Sequence, residues 1–289
     1  MTNANDQARR VPAPPARPKG AHKGTFGTVI VVGGSRTMIG APAMCATAAL
    51  RSGAGLVRIA TEERVLHPAL SIEPGATGVL LRGTVDQKLS ALDSAGSGQR
   101  TVLAVGPGIG QAPEAGDLVG ALLRGPRPMV LDADGLNLLA WTGRPRPGRE
   151  AEVVLTPHPG EFKRLAEPLG IRESATDPDQ RPAAAAKLAR AHQAVVVLKG
   201  ERSVITDGER TFVNDTGNPA LAAAGSGDVL TGVIAALIAQ GMGAFEAAAL
   251  GAHVHGLAAD RWAERHGPRG LLARELADEL VGALRAVEQ

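Results

Sequence analysis

Gly225, Ser226, Gly227 and Asp228 stand directly before a long apolar run within NPALAAAGSGDVLTGVIAALIAQG, residues 218 to 241. That order suits chemistry on an anion. A helix N-terminus presents unpaired N–H groups and the positive end of the backbone dipole, and glycines ahead of it let the chain approach a ligand without a side chain in the way. A phosphate site is the first reading. Asp228 has two readings of its own: a cap that pairs with the helix N–H groups, or a base held beside a bound phosphate. Because Asp is among the commonest N-cap residues, the motif alone favours the cap.

Other residue sets of chemical interest fail on spacing. GPGIGQAP does not match the dinucleotide-binding pattern G-x-G-x-x-G, and no G-K-[ST] tripeptide follows a strand, so neither common nucleotide fingerprint fits. His253 and His255 lie two apart in a helical pattern and point to opposite sides, so both read as structural, with His255 a hydrogen-bonding core residue. The HPGE of His158 to Glu161 misses metalloprotease spacing. AAGSGD is not a G-x-S-x-G elbow, because Ala224 stands two before Ser226. The lone Cys45 excludes an internal disulfide framework and makes no structural zinc site by itself; it reads as a small core residue, and a reducing cytoplasm is the expected compartment.

The elements that must position Asp228 follow from the apolar pattern. Short branched-aliphatic runs alternate with longer helical patterns: TVIVVGG (28–34), LVRIAT (56–61), TVLAVGPG (101–108), PMVLDAD (128–134), EVVLTPHPG (152–160) and AVVVLKG (194–200), then a hairpin-like SVITDGERTFVN (203–214). Continuous Val/Ile/Leu strands separated by helices imply an α/β fold, a mostly parallel sheet with helices on both faces. Ligands bind such sheets at the carboxyl ends of the strands, where GGS, GPG, DAD, TPHPGE and LKG fall. Of 289 residues, 44% are hydrophobic and only 2% aromatic, with 37 Gly and no Tyr, so the core is built from small and branched aliphatics in closely packed layers. A net charge of +2, interspersed, with few stacking residues, argues against nucleic acid as a partner. Residues 1–20 mix Pro, Arg and polar groups and read as a disordered tail, leaving 21–289 as one domain. The weakly charged stretch from Val229 to Ala259 reads as two buried helices joined by a GMG turn, since Gly241, Gly243, Glu246 and two His interrupt any membrane span.

The combination HKGTFGTVIVVGGSRTMIGAPAMCATAALRSGAGLVRIAT, VLAVGPGIG, VLDADGLNLL, TPHPGEF, VVLKG and NDTGNPALAAAGSGDVLTG resembles the ADP/ATP-dependent (S)-NAD(P)H-hydrate dehydratase family of the ribokinase-like superfamily, from about His22 to the C-terminus. The resemblance implies a single-domain form without the epimerase domain some relatives carry. It implies repair of the S epimer of hydrated NADH or NADPH at the expense of ATP or ADP with Mg²⁺. Carried over residue by residue, it makes Asp228 the base, with the N–H groups from Gly225, Ser226 and Gly227 to Asp228 stabilising the moving phosphoryl group. Ala41, Gly108 and His158 would line the hydrated dinucleotide. Lys199, Gly200, Glu201, Arg202, Ser203 and Gly227 would hold the nucleotide, and Glu161 would hold Mg²⁺ through water. A homotetramer is the implied assembly. Asp132, Asp134 and Asn137 end a strand on the same rim, where positioning metal or substrate and capping a helix are equally open.

Two departures from the family pattern bear on the site. AAGSGD stands where relatives carry GGTGD, and Ser226 keeps a hydroxyl and a small volume there, so the anion pocket is expected to survive. NPALA stands for NPGMA; if Ala220 had to adopt a positive φ, it would be strained by roughly 1 kcal/mol or more. The rival readings are a small-molecule kinase of the hydroxymethylpyrimidine or hydroxyethylthiazole type, which usually shows Asn at the place of His158, and a non-catalytic nucleotide-binding protein.

Overall fold

A computed structural model describes residues 10–96, 100–141 and 151–288. Among the described residues nine strands form one sheet in the order β3-β2-β1-β4-β5-β6-β7-β8-β9. The strands are β1 (Thr28–Val32), β2 (Leu56–Thr61), β3 (Thr77–Leu80), β4 (Thr101–Val105), β5 (Met129–Leu131), β6 (Val153–Leu155), β7 (Val195–Leu198), β8 (Val204–Thr206) and β9 (Thr211–Val213). From β1 to β7 all pairings are parallel, whereas β7–β8 and β8–β9 are antiparallel. The expected hairpin is the β8–β9 pair, closed by Asp207, whose Oδ1 accepts from the N–H groups of Glu209 and Arg210. Strand β3 was not anticipated. It is an edge strand whose Thr77 and Gly78 are exposed, so TGVL carries none of the continuous apolar signal of a strand covered on both faces.

Ten helices occur among the described residues. They are α1 (Gly40–Arg51), α2 (Glu63–Ile72), α3 (Val85–Ala95), α4 (Pro113–Arg124), α5 (Asp134–Trp141), α6 (Pro159–Ala166), α7 (Arg181–His192), α8 (Ser226–Ala239), α9 (Ala244–His266) and α10 (Ala273–Val287). Successive strand residues face opposite ways, so Val29 and Val31 pack into the layer containing α1, α8, α9 and α10, while Ile30 and Val32 pack into the layer of α4 to α7. The expected pair of buried helices with a GMG turn is α8 and α9. Gly232 lies so near α1 that a Cβ there would sit 2.2 Å from the Cys45 carbonyl oxygen, so the small-residue composition is what brings the two helix backbones together. Cys45 itself is fully buried between them; burial, with the charges of Asp228 and Asp132, pushes its thiol up and keeps it protonated.

Residues 1–9 of the expected tail lie outside the described residues. From Arg10 onward the segment is fastened to the body. The Arg17 guanidinium lies 3.7 Å from the centre of the Phe26 ring, and its Nη1 donates to Gly53 O and Gln240 Oε1 at 3.1 Å each. A Pro/Arg-rich composition hides such docking, because a single stacked cation leaves no periodic apolar signal.

Candidate active site

The carboxyl ends of the parallel strands share one rim, and α8 enters that rim from across the sheet. Gly225 precedes α8 with φ +86°, a left-handed turn that suits glycine, and no side chain caps the helix. The N–H groups of Gly225, Gly227 and Asp228 donate to no acceptor among the described residues, so three amides are left for a ligand. Ser226 is used differently from the expectation that its N–H joins them. Its N–H closes a turn onto Ala223 O at 3.3 Å, its Oγ donates to Leu221 O at 2.9 Å, and its carbonyl receives His255 Nε2 at 2.9 Å. Burial pushes the His255 pKa down to about 4, so the neutral ring acts as a donor that holds this turn from α9. Ala220 has no positive φ and so none of the strain considered for NPALA; it is buried in a short 3-10 turn, Pro219–Leu221, capped by the Asn218 side chain.

Asp228 occupies the third position of α8 and its carboxylate accepts no hydrogen bond among the described residues. The cap reading therefore has no bond to support it. Burial and then the neighbouring Asp132 push its pKa up to about 7, with Lys199 opposing and Asp134 adding to the rise. Such a carboxyl exchanges a proton near neutrality, as a general base must.

Beneath α8 lies a buried charge cluster. Lys199, at the end of β7, donates from Nζ to Asp132 Oδ1 at 2.8 Å and stands 3.9 Å from Glu161 Oε2. Thr231, on the second turn of α8, donates to Asp132 Oδ2 at 2.7 Å. Burial opposes charge on Asp132, yet Lys199 and the hydroxyls of Thr231 and Thr156 outweigh it and hold the carboxyl below its ordinary value. Burial likewise works against the Lys199 ammonium, and the carboxylates of Asp132 and Glu161 more than restore it.

His158 and Glu161 cap α6 reciprocally. His158 Nδ1 accepts from the N–H groups of Gly160 and Glu161 at 3.0 and 3.3 Å, while Glu161 Oε2 accepts from His158 N at 2.8 Å. With Nδ1 accepting, the neutral ring carries its proton on Nε2 and offers a donor there. Burial, then Lys199 and Arg164, lower the His158 pKa and keep it in that form. Burial also raises the Glu161 pKa to about 7, against the pull of Lys199. Among the described residues no group of three or more His, Cys, Asp and Glu side chains is disposed to hold a metal ion.

The remaining expected residues fall into two places. Gly108, at φ +64°, abuts Ala41: a Cβ on Gly108 would meet the Ala41 Cβ at 3.0 Å and Met38 O at 2.8 Å, so both residues keep one wall flat. Asp134 fastens the adjoining loop, accepting from Gly110 N at 3.0 Å and Gln111 Nε2 at 2.8 Å, and Asn137 Oδ1 accepts from Arg164. Asp134 is thus engaged in positioning a loop, and Asn137 in joining α5 to α6. On the other side, Lys199, Gly200, Glu201, Arg202, Ser203 and Gly227 line a cleft of about 610 Å³, with the 214–219 loop and Leu230 completing its walls. Asp228, one residue past Gly227, stands outside that lining. What sequence reasoning missed is Thr231 and Asp260. The former is an unremarkable Thr in an apolar helix; the latter accepts from Gly217 N and Asn218 Nδ2, both at 2.8 Å, and so ties the cleft loop to α9. Neither carries a local motif.

The family model described as NAD(P)H-hydrate dehydratase matches residues 29–281. A bifunctional NAD(P)H-hydrate repair enzyme from Moorella thermoacetica is 44% identical over 95% of this chain, and the chain spans about half of that protein, 52% of its length. An ADP-dependent (S)-NAD(P)H-hydrate dehydratase from Neisseria meningitidis is 40% identical over 91% of this chain and 86% of its own length. Among solved structures, the ADP/ATP-dependent NAD(P)H-hydrate dehydratase from Bacillus subtilis, co-crystallised with ATP and Mg²⁺, superposes with a TM-score of 0.81 at 32% identity over 99% of this chain and 98% of that one. A hydroxyethylthiazole kinase from Pyrococcus horikoshii, at 17% identity and a TM-score of 0.55, shares the ribokinase-like fold alone. By its sequence over most of its length, this chain belongs to the NAD(P)H-hydrate dehydratase family.

Proposed function

We propose that the protein dehydrates the S epimer of hydrated NADH and NADPH, using ATP or ADP, and so restores the reduced cofactor. Hydroxide is a poor leaving group. The ring hydroxyl on C6 is therefore phosphorylated first, after which the ring nitrogen lone pair expels phosphate and loss of the C5 proton restores the double bond. Asp228 takes the hydroxyl proton as the terminal phosphoryl group is attacked. The amides of Gly225, Gly227 and Asp228 receive the charge on that group, in a place where they need not reorganise.

The observation that carries this reading is the free Asp228 carboxylate beside an uncapped helix start, with a cleft of nucleotide size running up to Gly227. The nucleotide lies in the cleft along Lys199 to Ser203, and the hydrated ring lies on the other side of the turn, against Ala41, Gly108 and the Nε2 donor of His158. Among the described residues no group of side chains is disposed to hold Mg²⁺ by itself, so the ion would be carried by the nucleotide phosphates, with Glu161 the residue that would hold it through water. Bound there, it would neutralise the phosphates. The ATP and Mg²⁺ of the Bacillus subtilis crystals and the name of the Neisseria protein support the co-substrate. A homotetramer with α10 in its interface is part of the same reading, since Leu272 and Val281 are 49% and 50% exposed; light scattering tests it. So is a cytoplasmic location, which the single, buried, protonated thiol suits; among the described residues no helix is long and apolar enough to cross a membrane.

Ultraviolet monitoring of purified S-hydrate with Mg²⁺ and either nucleotide tests the function. Recovery of the reduced-nicotinamide absorbance with release of free phosphate is the expected result. Silence with both nucleotides, or a stable phosphorylated alcohol, would overturn it.

A further inference from the structure

Asp132 is 1% exposed and Thr231 fully buried, yet both belong to a hydrogen-bonded chain that ends at the site. Asp132 Oδ1 accepts from Lys199 Nζ at 2.8 Å and Oδ2 from Thr231 Oγ1 at 2.7 Å, with the Thr156 hydroxyl a further support to the carboxyl. The pair lies directly under the turn that opens α8. A Cβ built on Gly227 would be 3.3 Å from Lys199 Nζ and 3.5 Å from Asp132 Oδ2, so the turn rests in close contact with the pair. Lys199 has three N–H groups and spends one on Asp132; Glu161 at 3.9 Å is beyond hydrogen-bond reach. Its side chain is 19% exposed and lines the cleft. An ammonium on a flexible four-carbon stem has no preferred aim of its own, and a buried carboxylate with both oxygens engaged supplies one.

We propose that Asp132, held by Thr231, is a positioning residue that fixes the Lys199 ammonium beneath the first turn of α8, where one cation faces both the Asp228 carboxylate and the anion bound on the turn's amides. The inference rests on the dehydratase reading for the reaction it serves. It departs from treating Lys199 as a nucleotide-phosphate contact alone. The charged and titratable groups around Asp228 are Asp132 from just after β5, Asp134 from the start of α5, Lys199 from just after β7 and the protonated Cys45 from α1. Behind Lys199 stand Glu161 and the neutral His158 of the α6 cap, and on α9 the neutral His255. Of these, Lys199 is the cation that favours an ionised Asp228, and Asp132 is the foremost anion opposing it. The two members of the pair therefore act on Asp228 with opposite sign.

That opposition supplies the test. Carbon-13 NMR of carboxyl-labelled aspartate, with the Asp228 signal identified by its loss in Asp228→Asn, follows the ionisation of Asp228 in the nucleotide-free protein. The midpoint should fall in Asp132→Asn and rise in Lys199→Met, each by about half a pH unit or more. In the hydrate assay Asp132→Asn should lower kcat about tenfold or more with the nucleotide KM nearly unchanged. Asp132→Asn leaves a buried ammonium short of its partner and could fail to fold, so Thr231→Val and Thr231→Ser provide a second arm. Val should lower kcat about threefold and Ser should restore it, because only the hydroxyl is at issue. A midpoint that does not move in Lys199→Met, or a rise in nucleotide KM alone with kcat intact in Thr231→Val, overturns the proposal. A silent wild-type protein in the hydrate assay would instead count against the proposed function, since the carboxyl titration needs no turnover.

Discussion

Two helices begin on either side of Lys199, each with an acid at its third residue, and they are finished in opposite ways. At α6 the cap is closed: the His158 ring takes two N–H groups and Glu161 reaches back to the His158 amide. At α8 the cap is open: Gly225 contributes no side chain, and Asp228 turns its carboxylate to none of the amides beside it. Each acid is pushed up to about 7, first by burial, so titration alone does not tell them apart. Bonding does. A closed cap spends its donors on the fold, whereas an open one keeps them for an anion, and only the open one leaves its carboxylate free of a hydrogen bond to the fold.

The largest effect that can break this comparison is loss of the open acid. Asp228→Asn should bind both ligands and lose turnover by about a thousandfold or more in the hydrate assay. Glu161→Gln should lose far less, because Gln serves the third position of a capping box as well as Glu does. Both acids also load stability with a pH dependence. Their folded pKa values of about 7 lie above the ordinary 3.8 and 4.5, so the stability they contribute is full below about pH 4 and is lost as pH rises through 7. Thermal melts between pH 5 and 8 should therefore decline less steeply in either variant than in the wild type. Equal slopes in all three would refute the raised values.

Gly227→Ala comes next and sharpens what the open cap is for. Alanine suits a helix better than glycine by roughly 1 kcal/mol, so the melting temperature should hold or rise. The new methyl would press to 3.3 Å from Lys199 Nζ and disturb the cation beneath the amides. Turnover should fall by about ten- to a hundredfold. Gly225→Ala should do the reverse in part, losing roughly 1 kcal/mol or more because φ is +86° and its Cβ would lie 2.9 Å from that of Ala273. Paired melting and rate measurements on the two variants separate a conformational glycine from a contact glycine.

How much of this was legible in the chain depended on whether the signal was local. The parallel strands announced themselves as runs such as TVIVV and VVVL, because strands covered on both faces need apolar residues at every position. The open turn was legible too, as GSGD before an apolar helix. By contrast β3 was missed because half of it faces solvent, and the docked Arg17 because one stacked guanidinium has no pattern. The cluster beneath α8 was half legible. Asp132 and Lys199 stood out at strand ends, but their pairing joins residues 67 apart, and Thr231 meets Asp132 from 99 residues away. Contacts of that kind depend on strand order, which a periodicity does not encode. The roles of Ser226 and His158 were obscured for a related reason: side-chain type gives the donors and acceptors, and only the fold decides which are already spent.

The smallest effect concerns the closed cap, where two functions of one ring can be pulled apart. His158 holds α6 through Nδ1, while Nε2–H, on a half-exposed ring and 3.4 Å from Glu161 Oε1, is the group left for a ligand. Asparagine is an excellent N-cap residue, so His158→Asn should keep the helix start and leave the melting temperature almost unchanged. His158→Ala, by removing the acceptor, should cost about 1 kcal/mol. On activity the two should agree, because neither carries an imidazole N–H. The KM for the hydrate should rise a few-fold, by about 1 kcal/mol for one hydrogen bond, while the KM for nucleotide stays put. Asn is also what related small-molecule kinases usually carry at this place, so His158→Asn should weaken hydrate repair without creating a stable phosphorylated product. A shift in the nucleotide KM in place of the hydrate KM would move His158 to the other side of the turn, and with it the assignment of the wall formed by Ala41 and Gly108.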